Sequence, residues 1–148
     1  MEPATTPPTL LDLSTYLLAT IGRTARGRLN DRLAARGFRL WHMAILAALA
    51  DFGPHAQRDL ARRLSIDPSD ITKLVDELVA SGCAERTRDP ADRRRVAVTL
   101  TEEGRKALTD LNVEAAAVQD EVLAPLSAPE REQLAGLLGR VLAGLGEG

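Results

Sequence analysis

Between Ser65 and Gly82 the stretch SIDPSDITKLVDELVASG carries the signals for both ends of a helix, and directly after it the pattern changes to a two-residue period. Asp67 suits the N-cap, Pro68 the first helical position and Asp70 the positive end of the helix dipole, while Gly82 is placed to close the helix at C′. Ile71, Leu74, Val75 and Leu78 form one apolar stripe, which leaves Ser69, Asp70, Thr72, Lys73, Asp76 and Glu77 on the outer surface. Cys83–Arg88 and Arg95–Leu100 then read as the arms of a short β-hairpin, with Val96, Val98 and Leu100 on one face, Ala97 and Thr99 on the other, and Pro90 in the connecting loop.

The flanking segments are helical. Leu10, Leu13, Leu17, Ile21, Ala25, Leu29 and Leu33 recur every three or four residues, and Gly37 is placed to end that helix. Gly22 and Gly27 lie within it and each costs about 1 kcal/mol relative to Ala, so tertiary or intersubunit packing must stabilise it. A second helix is expected from about Leu40 to Ala50, broken by DFGPH, and a short third over AQRDLARRL. Thr101 caps a long helix to about Leu123, Pro125 interrupts, and Ser127–Glu130 reads as a capping box opening a last helix toward Leu145. Residues 1–9 offer little to bury and read as a disordered lead-in. Aromatics make up only 3% of the 148 residues, which favours helix over a β-sandwich, and the length suits one domain. The expected fold is mainly α with a small β-hairpin wing: a winged helix-turn-helix lobe over about 40–101 within a single domain of 10–148. In that arrangement the second helix of the motif enters the DNA major groove.

Charge distribution agrees with a polyanion-binding lobe. The chain's net charge is −2, yet residues 1–101 carry +3 and residues 102–148 carry −5. RTRDPADRRR places five arginines around the hairpin tip. Arginine pairs bidentately with phosphate oxygens and is drawn into a narrow minor groove, so Arg93, Arg94 and Arg95 are candidate DNA contacts. Asp92 would repel a phosphate, and its expected work is to hydrogen-bond a neighbouring arginine and fix its direction. Asp76 and Glu77 are expected to face the protein or pair with arginine. Arg58, Arg62 and Arg63 fit either phosphate contacts or surface salt bridges.

DPADRRRVAVTLTEEG resembles the wing signature of the MarR family of bacterial transcriptional regulators, an Asp-x-Arg followed after five residues by Leu-Thr, filled here by Asp92, Arg94, Leu100 and Thr101. QRDLARRLSIDPSDITKLVDELVASGCAER is similar to that family's helix-turn-helix, with its Leu-Val-Asp-x-Leu core. The resemblance implies a homodimer joined through N- and C-terminal dimerisation helices, here 10–36 and 102–146, on a pseudo-palindromic double-stranded DNA operator. It also implies repression, often relieved by a small aromatic or carboxylate-bearing effector. It assigns DNA contacts to Ser69, Thr72 and Lys73; Asp70 belongs to the same face or completes the cap, and capping is the alternative for Ser69. It places Tyr16, Arg23, Trp41 and His42 near the family's effector pocket, against the alternative that they are core or interface residues. Cys83 stands where the family commonly has a larger apolar residue.

Other classes find little support. The sequence has no nucleophile elbow, phosphate loop or HExxH, so an enzyme is not expected. One cysteine and two histidines make no zinc set, and neither metal nor cofactor is expected. Cys83, at the root of the wing, reads as a small buried hydrophobe rather than a redox sensor. No apolar run is long enough for a membrane span and MEPATTPPT lacks the regions of a secretion signal, so a cytoplasmic protein with no membrane partner is expected. The competing reading is a winged-helix protein-interaction module without sequence-specific DNA binding.

Overall fold

The computed structural model describes residues 5–89 and 91–146; Pro90, expected in the hairpin loop, lies outside them. Seven helices and three short strands follow in the order α1 (Pro8–Leu11), α2 (Ser14–Ala34), α3 (Leu40–Phe52), β1 (His55–Ala56), α4 (Gln57–Leu64), α5 (Pro68–Ala80), β2 (Ala84–Arg88), β3 (Val96–Leu100), α6 (Glu102–Val122) and α7 (Ala128–Gly146). Among the described residues they form two compact units, one within 26–115 and one of residues 5–25 with 116–146.

The 26–115 unit is the winged helix-turn-helix lobe. Its core gathers Leu46 of α3, Leu60 of α4, Val75 and Leu78 of α5 and Val98 of β3, each at most 1% exposed. All four stripe residues of α5 are buried, as the periodicity requires. The lobe reaches beyond 40–101, because Leu33 at the end of α2 and Leu111 of α6 are completely buried members of the same core. Full burial of a leucine side chain contributes roughly 1.5–3 kcal/mol, so these two positions anchor the flanking helices strongly.

Two tight exits shape the lobe. Ser65, which caps α4, is the one non-glycine residue among those described with positive φ, 55°, and Ile66 N–H returns to the Ala61 carbonyl at 2.9 Å. Gly82, at φ 79°, ends α5 in a Schellman motif, with Gly82 N–H on the Val79 carbonyl (3.0 Å) and Cys83 N–H on the Leu78 carbonyl (2.9 Å). This turn delivers the chain straight into β2. The sheet is antiparallel in the order β1-β3-β2, with Arg86 opposite Val98 and His55 also opposite Val98 on the other side. β1 went unread in the sequence, since two residues carry no period and the strand exists only because the outer edge of β3 accepts it. Cys83 is buried, as a small hydrophobe would be.

The N-terminal segment differs from expectation. Pro8 and Thr9, read as part of a disordered lead-in, belong to the one-turn helix α1, for which Pro8 supplies a preset first position. The long helix begins at Ser14 rather than Leu10, because Asp12 N–H turns back to Leu10 and Pro8 and closes α1. In the second unit, Ser127 and Glu130 make the expected reciprocal cap: Glu130 Oε1 accepts from Ser127 N–H at 2.8 Å and Ser127 Oγ from Glu130 N–H at 3.3 Å. No helix of the described residues is long and apolar enough to cross a membrane.

The wing closes onto α6 at Thr101. Its hydroxyl donates to the Gly82 carbonyl (2.6 Å) and accepts from Gly104 N–H (3.0 Å), joining the end of α5 to the start of α6. Gly104 is buried, and a Cβ there would collide with the Cys83 carbonyl and lie 2.6 Å from Leu100 Cδ1. Helix propensity alone would make Gly104→Ala favourable by about 1 kcal/mol. The collision reverses the sign, and Gly104→Ala is expected to lower unfolding free energy by about 2 kcal/mol in urea titrations.

His42 ties α3 to α5. It is 5% exposed; its Nδ1 accepts from Arg39 N–H at 2.9 Å, so the proton sits on Nε2, 3.2 Å from Glu77 Oε1. Burial lowers its pKa below the ordinary 6.5, outweighing the opposing pull of Glu77, and protonation would cost the Arg39 N–H its acceptor. The unfolded chain therefore takes up a proton more readily than the native one, so the stability owed to neutral His42 is present above pH 6.5 and lost as pH falls through its lower native value. The hydrogen bond from His42 also lowers the Glu77 pKa from 4.5, which adds a second loss below pH 4.5. The urea midpoint is expected to drop as pH falls below 6.5, and His42→Gln to flatten that part of the profile.

Candidate nucleic-acid interface

The outer face of α5 is prepared at its N-terminus. Asp67 Oδ1 accepts from both the backbone N–H and the hydroxyl of Ser69, at 2.8 and 2.7 Å, and these bonds hold the Asp67 carboxyl below its ordinary range. Ser69 is thus part of the cap and offers only oxygen lone pairs outward. Asp70, Thr72 and Lys73 are exposed on the same helix.

The two acidic residues farther along are neutralised. Asp76 pairs with Arg86 of β2 at 2.6 Å, and Glu77 pairs with Arg39 at 2.7 Å as well as with His42. Of the two expectations, facing the protein or pairing with arginine, both carboxylates take the second, and the Asp76 pair ties the root of the wing to the outer face of α5. Which arginines would serve was not legible: Arg86 and Asp76 meet only because the Gly82 turn folds β2 back along α5.

The wing tip is built from local hydrogen bonds. Asp89 N–H reaches the Arg95 carbonyl at 2.9 Å, Arg95 N–H the Asp92 carbonyl at 2.9 Å, and Arg88 donates to the Arg93 carbonyl at 2.7 Å. Asp92 Oδ1 accepts from Arg94 N–H at 3.0 Å and lies 3.5 Å from Arg94 Nε. Asp92 thus bonds a neighbouring arginine, whose side chain is 93% exposed. Arg93 is exposed too. Arg95 lies 4.0 Å from Asp59 of α4. Arg63 has a different occupation: its guanidinium stacks 4.1 Å over the Phe52 ring and donates to His55 Nε2 at 3.0 Å.

The residues the resemblance assigns to an effector are not alike. Trp41 is 47% exposed on α3, whereas His42 is buried with both ring nitrogens engaged. Tyr16 is half-buried and Arg23 exposed, both on α2 in the other compact unit. Sequence reasoning missed Gln57, which sits at the first position of α4 and bonds to both Thr72 and Arg86. No local signal marks it, since its partners lie 15 and 29 residues away. No cluster of metal-ligating side chains occurs among the described residues.

Comparison with known proteins bears on this site. A family model described as MarR family matches residues 36–95. The chain is 31% identical over 108 residues to the HTH-type transcriptional regulator YdgJ of Bacillus subtilis, covering 73% of this chain and 66% of that protein. It is 33% identical over 97 residues to the HTH-type transcriptional repressor NicR of Pseudomonas putida, covering 66% of this chain and 61% of the relative. The matches thus span slightly under two thirds of these curated relatives. A solved structure of a probable transcriptional regulator from Pseudomonas aeruginosa is 32% identical with a TM-score of 0.74, covering 89% of this chain and 98% of that one. A mutant of MarR from E. coli, complexed with operator DNA, is 26% identical with a TM-score of 0.71, covering 86% of this chain and 92% of its own. The family match runs from α3 through the helix-turn-helix to the wing tip, the segment that holds the capped helix and the arginine-bearing turn, and the chain belongs to the MarR family.

Proposed function

We propose that this protein is a transcriptional repressor that binds a pseudo-palindromic operator as a homodimer, with α5 in the major groove and the wing on the neighbouring backbone. The observation that carries the reading is the sorting of charge on one lobe. Asp76 and Glu77 are neutralised by arginines, while Lys73 and Arg94 stay exposed on the helix and the wing. Arg94 is held by Asp92 for backbone contact, Arg93 and Arg95 flank it, and Thr72 and Lys73 face the groove. Ser69 serves in the cap and Asp70 shares the exposed face of α5 with Thr72 and Lys73, while Arg63, whose Nε donates to His55 and whose guanidinium stacks on Phe52, keeps its terminal nitrogens for phosphate. The operator complex of the related E. coli protein supports the same partner class.

Dimerisation is the second part of the reading. Leu137, Val141, Leu142 and Leu145 of α7 are 55–74% exposed, and Leu13, Leu18 and Ile21 near the N-terminus 43–49%. Apolar helix faces of this kind are poorly suited to water and fit a second copy of the chain. Sedimentation at micromolar concentration is expected to give twice the 15.9 kDa chain mass. A monomer would remove the basis for a two-fold operator.

Two recognition helices call for half-sites about 10 base pairs apart, bound with a steep salt dependence. Arg94→Ala is expected to weaken binding across all sequences and to flatten the slope of log affinity against log salt by about one per lobe. Unchanged affinity and slope in gel shifts would take the wing out of the mechanism, and absence of any duplex binding would favour the protein-interaction reading.

An aromatic or carboxylate-bearing effector belongs to the same reading. Such a ligand releases operator only if it binds the free protein better than the DNA-bound one, and a tenfold release requires about 1.4 kcal/mol of difference. Arg23 is the exposed cation and Trp41 the exposed aromatic among the assigned residues. Calorimetry with a panel of aromatic acids is expected to show weaker binding in Arg23→Ala; equal binding assigns the arginine to structure.

A further inference from the structure

Three elements of the lobe meet in a polar ring. Asp76 of α5 pairs with Arg86 of β2 at 2.6 Å, Arg86 donates to Gln57 Oε1 of α4 at 3.1 Å, and Gln57 Nε2 donates to Thr72 Oγ1 of α5 at 2.7 Å. A guanidinium has no acceptor, so the amide oxygen of Gln57 must face Arg86 and its NH2 must face Thr72. Asp76 holds Arg86 in place and thereby fixes which way the amide points. The direction of every bond in the ring is then determined, and Thr72 is the end of the chain of donors.

A hydroxyl that accepts still carries one proton to give away. A helical threonine usually spends it on the carbonyl four residues back, as Thr109 does on Arg105 at 3.1 Å. Among the described residues the Thr72 hydroxyl has no such acceptor; its one hydrogen bond is the one it receives from Gln57. The side chain is exposed on the outer face of α5, so the proton is directed away from the protein. Resting on the DNA-binding reading above, we infer that Gln57 is a positioning residue that makes Thr72 a hydrogen-bond donor to a base edge in the major groove. The bases it selects are those presenting an acceptor there, guanine O6 or N7, adenine N7 or thymine O4, and it discriminates against cytosine, whose N4 amino group is a donor.

Gln57→Glu reverses the polarity. A carboxylate still satisfies Arg86 but has no proton for Thr72, so the hydroxyl turns to donate inward and presents a lone pair outward. The test is selection from a library of random-sequence DNA duplexes by the full-length wild type, Gln57→Glu, Gln57→Leu, Thr72→Val and Thr72→Ser, with thermal melts of each. Thr72→Val is expected to lose preference at one base pair per half-site by about tenfold, and Thr72→Ser to keep it. At that same base pair Gln57→Glu is expected to shift preference toward a base presenting an amino group, and Gln57→Leu to blur it without reversal. Uniform weakening by Gln57→Glu with unchanged preference overturns the inference, as does an effect of Gln57 and Thr72 variants at different base pairs. If Gln57→Glu melts early, the Gln57→Leu and Thr72 variants decide by the same criterion. A wild type that enriches no sequence defeats the DNA-binding reading itself, which separates the two failures.

Discussion

Burial of the Ile71, Leu74, Val75 and Leu78 stripe sets the rotation of α5 about its axis, and the exposed surface of the lobe depends on that setting. With successive residues turned by about 100°, fixing one apolar stripe fixes the direction of every other side chain on the helix. Thr72, Lys73, Asp76 and Glu77 are outward because those four are inward. The stripe is held by core residues that are at most a few per cent exposed, drawn from α3, α4 and β3 and joined by Leu33 of α2 and Leu111 of α6. A lobe whose core extends into its flanking helices cannot shift its recognition helix without disturbing them.

The second constraint is the junction of Gly82, Thr101 and Gly104. The positive φ of Gly82 turns the chain from helix to strand, the Thr101 hydroxyl clasps its carbonyl, and the missing side chain of Gly104 lets α6 start against Cys83. Thr101 is at once the end of the wing pattern and the cap of α6, so one residue couples the position of the wing to that of the helix that leaves the lobe. Arg86 completes the coupling from the other side through Asp76.

These contacts set the charge that a chain of net charge −2 shows at its recognition helix and wing. Nothing removes the acidic residues from the recognition helix; Asp76 is matched by Arg86 and Glu77 by Arg39, while Asp70 stays exposed in the first turn. Exposed pairs of this kind add little to stability, and their larger effect is on the sign of the field at the face and on the geometry of neighbouring polar groups. The long-range consequence at Thr72 comes from geometry, since the hydrogen bonds that neutralise Asp76 also orient Gln57.

Much was legible from residue order alone. The ends of α5 follow from Asp67, Pro68 and Gly82, its buried stripe from a 3.6-residue period, the hairpin from a two-residue period, and the caps at Thr101 and Ser127 from short motifs; each is a local signal, read within a few residues of where it acts. The tertiary structure alone decided the rest. β1 exists because β3 had a free edge, Leu33 and Leu111 join the lobe because the core has room for them, and His42 turns inward to Glu77, 35 residues away. Gln57 shows the difference most clearly: its sequence neighbourhood is that of any polar residue at the start of a helix, and it acquires a role only when the chain brings Thr72 and Arg86 to its two ends, because a hydrogen-bond direction is a property of partners in space and not of position along the chain.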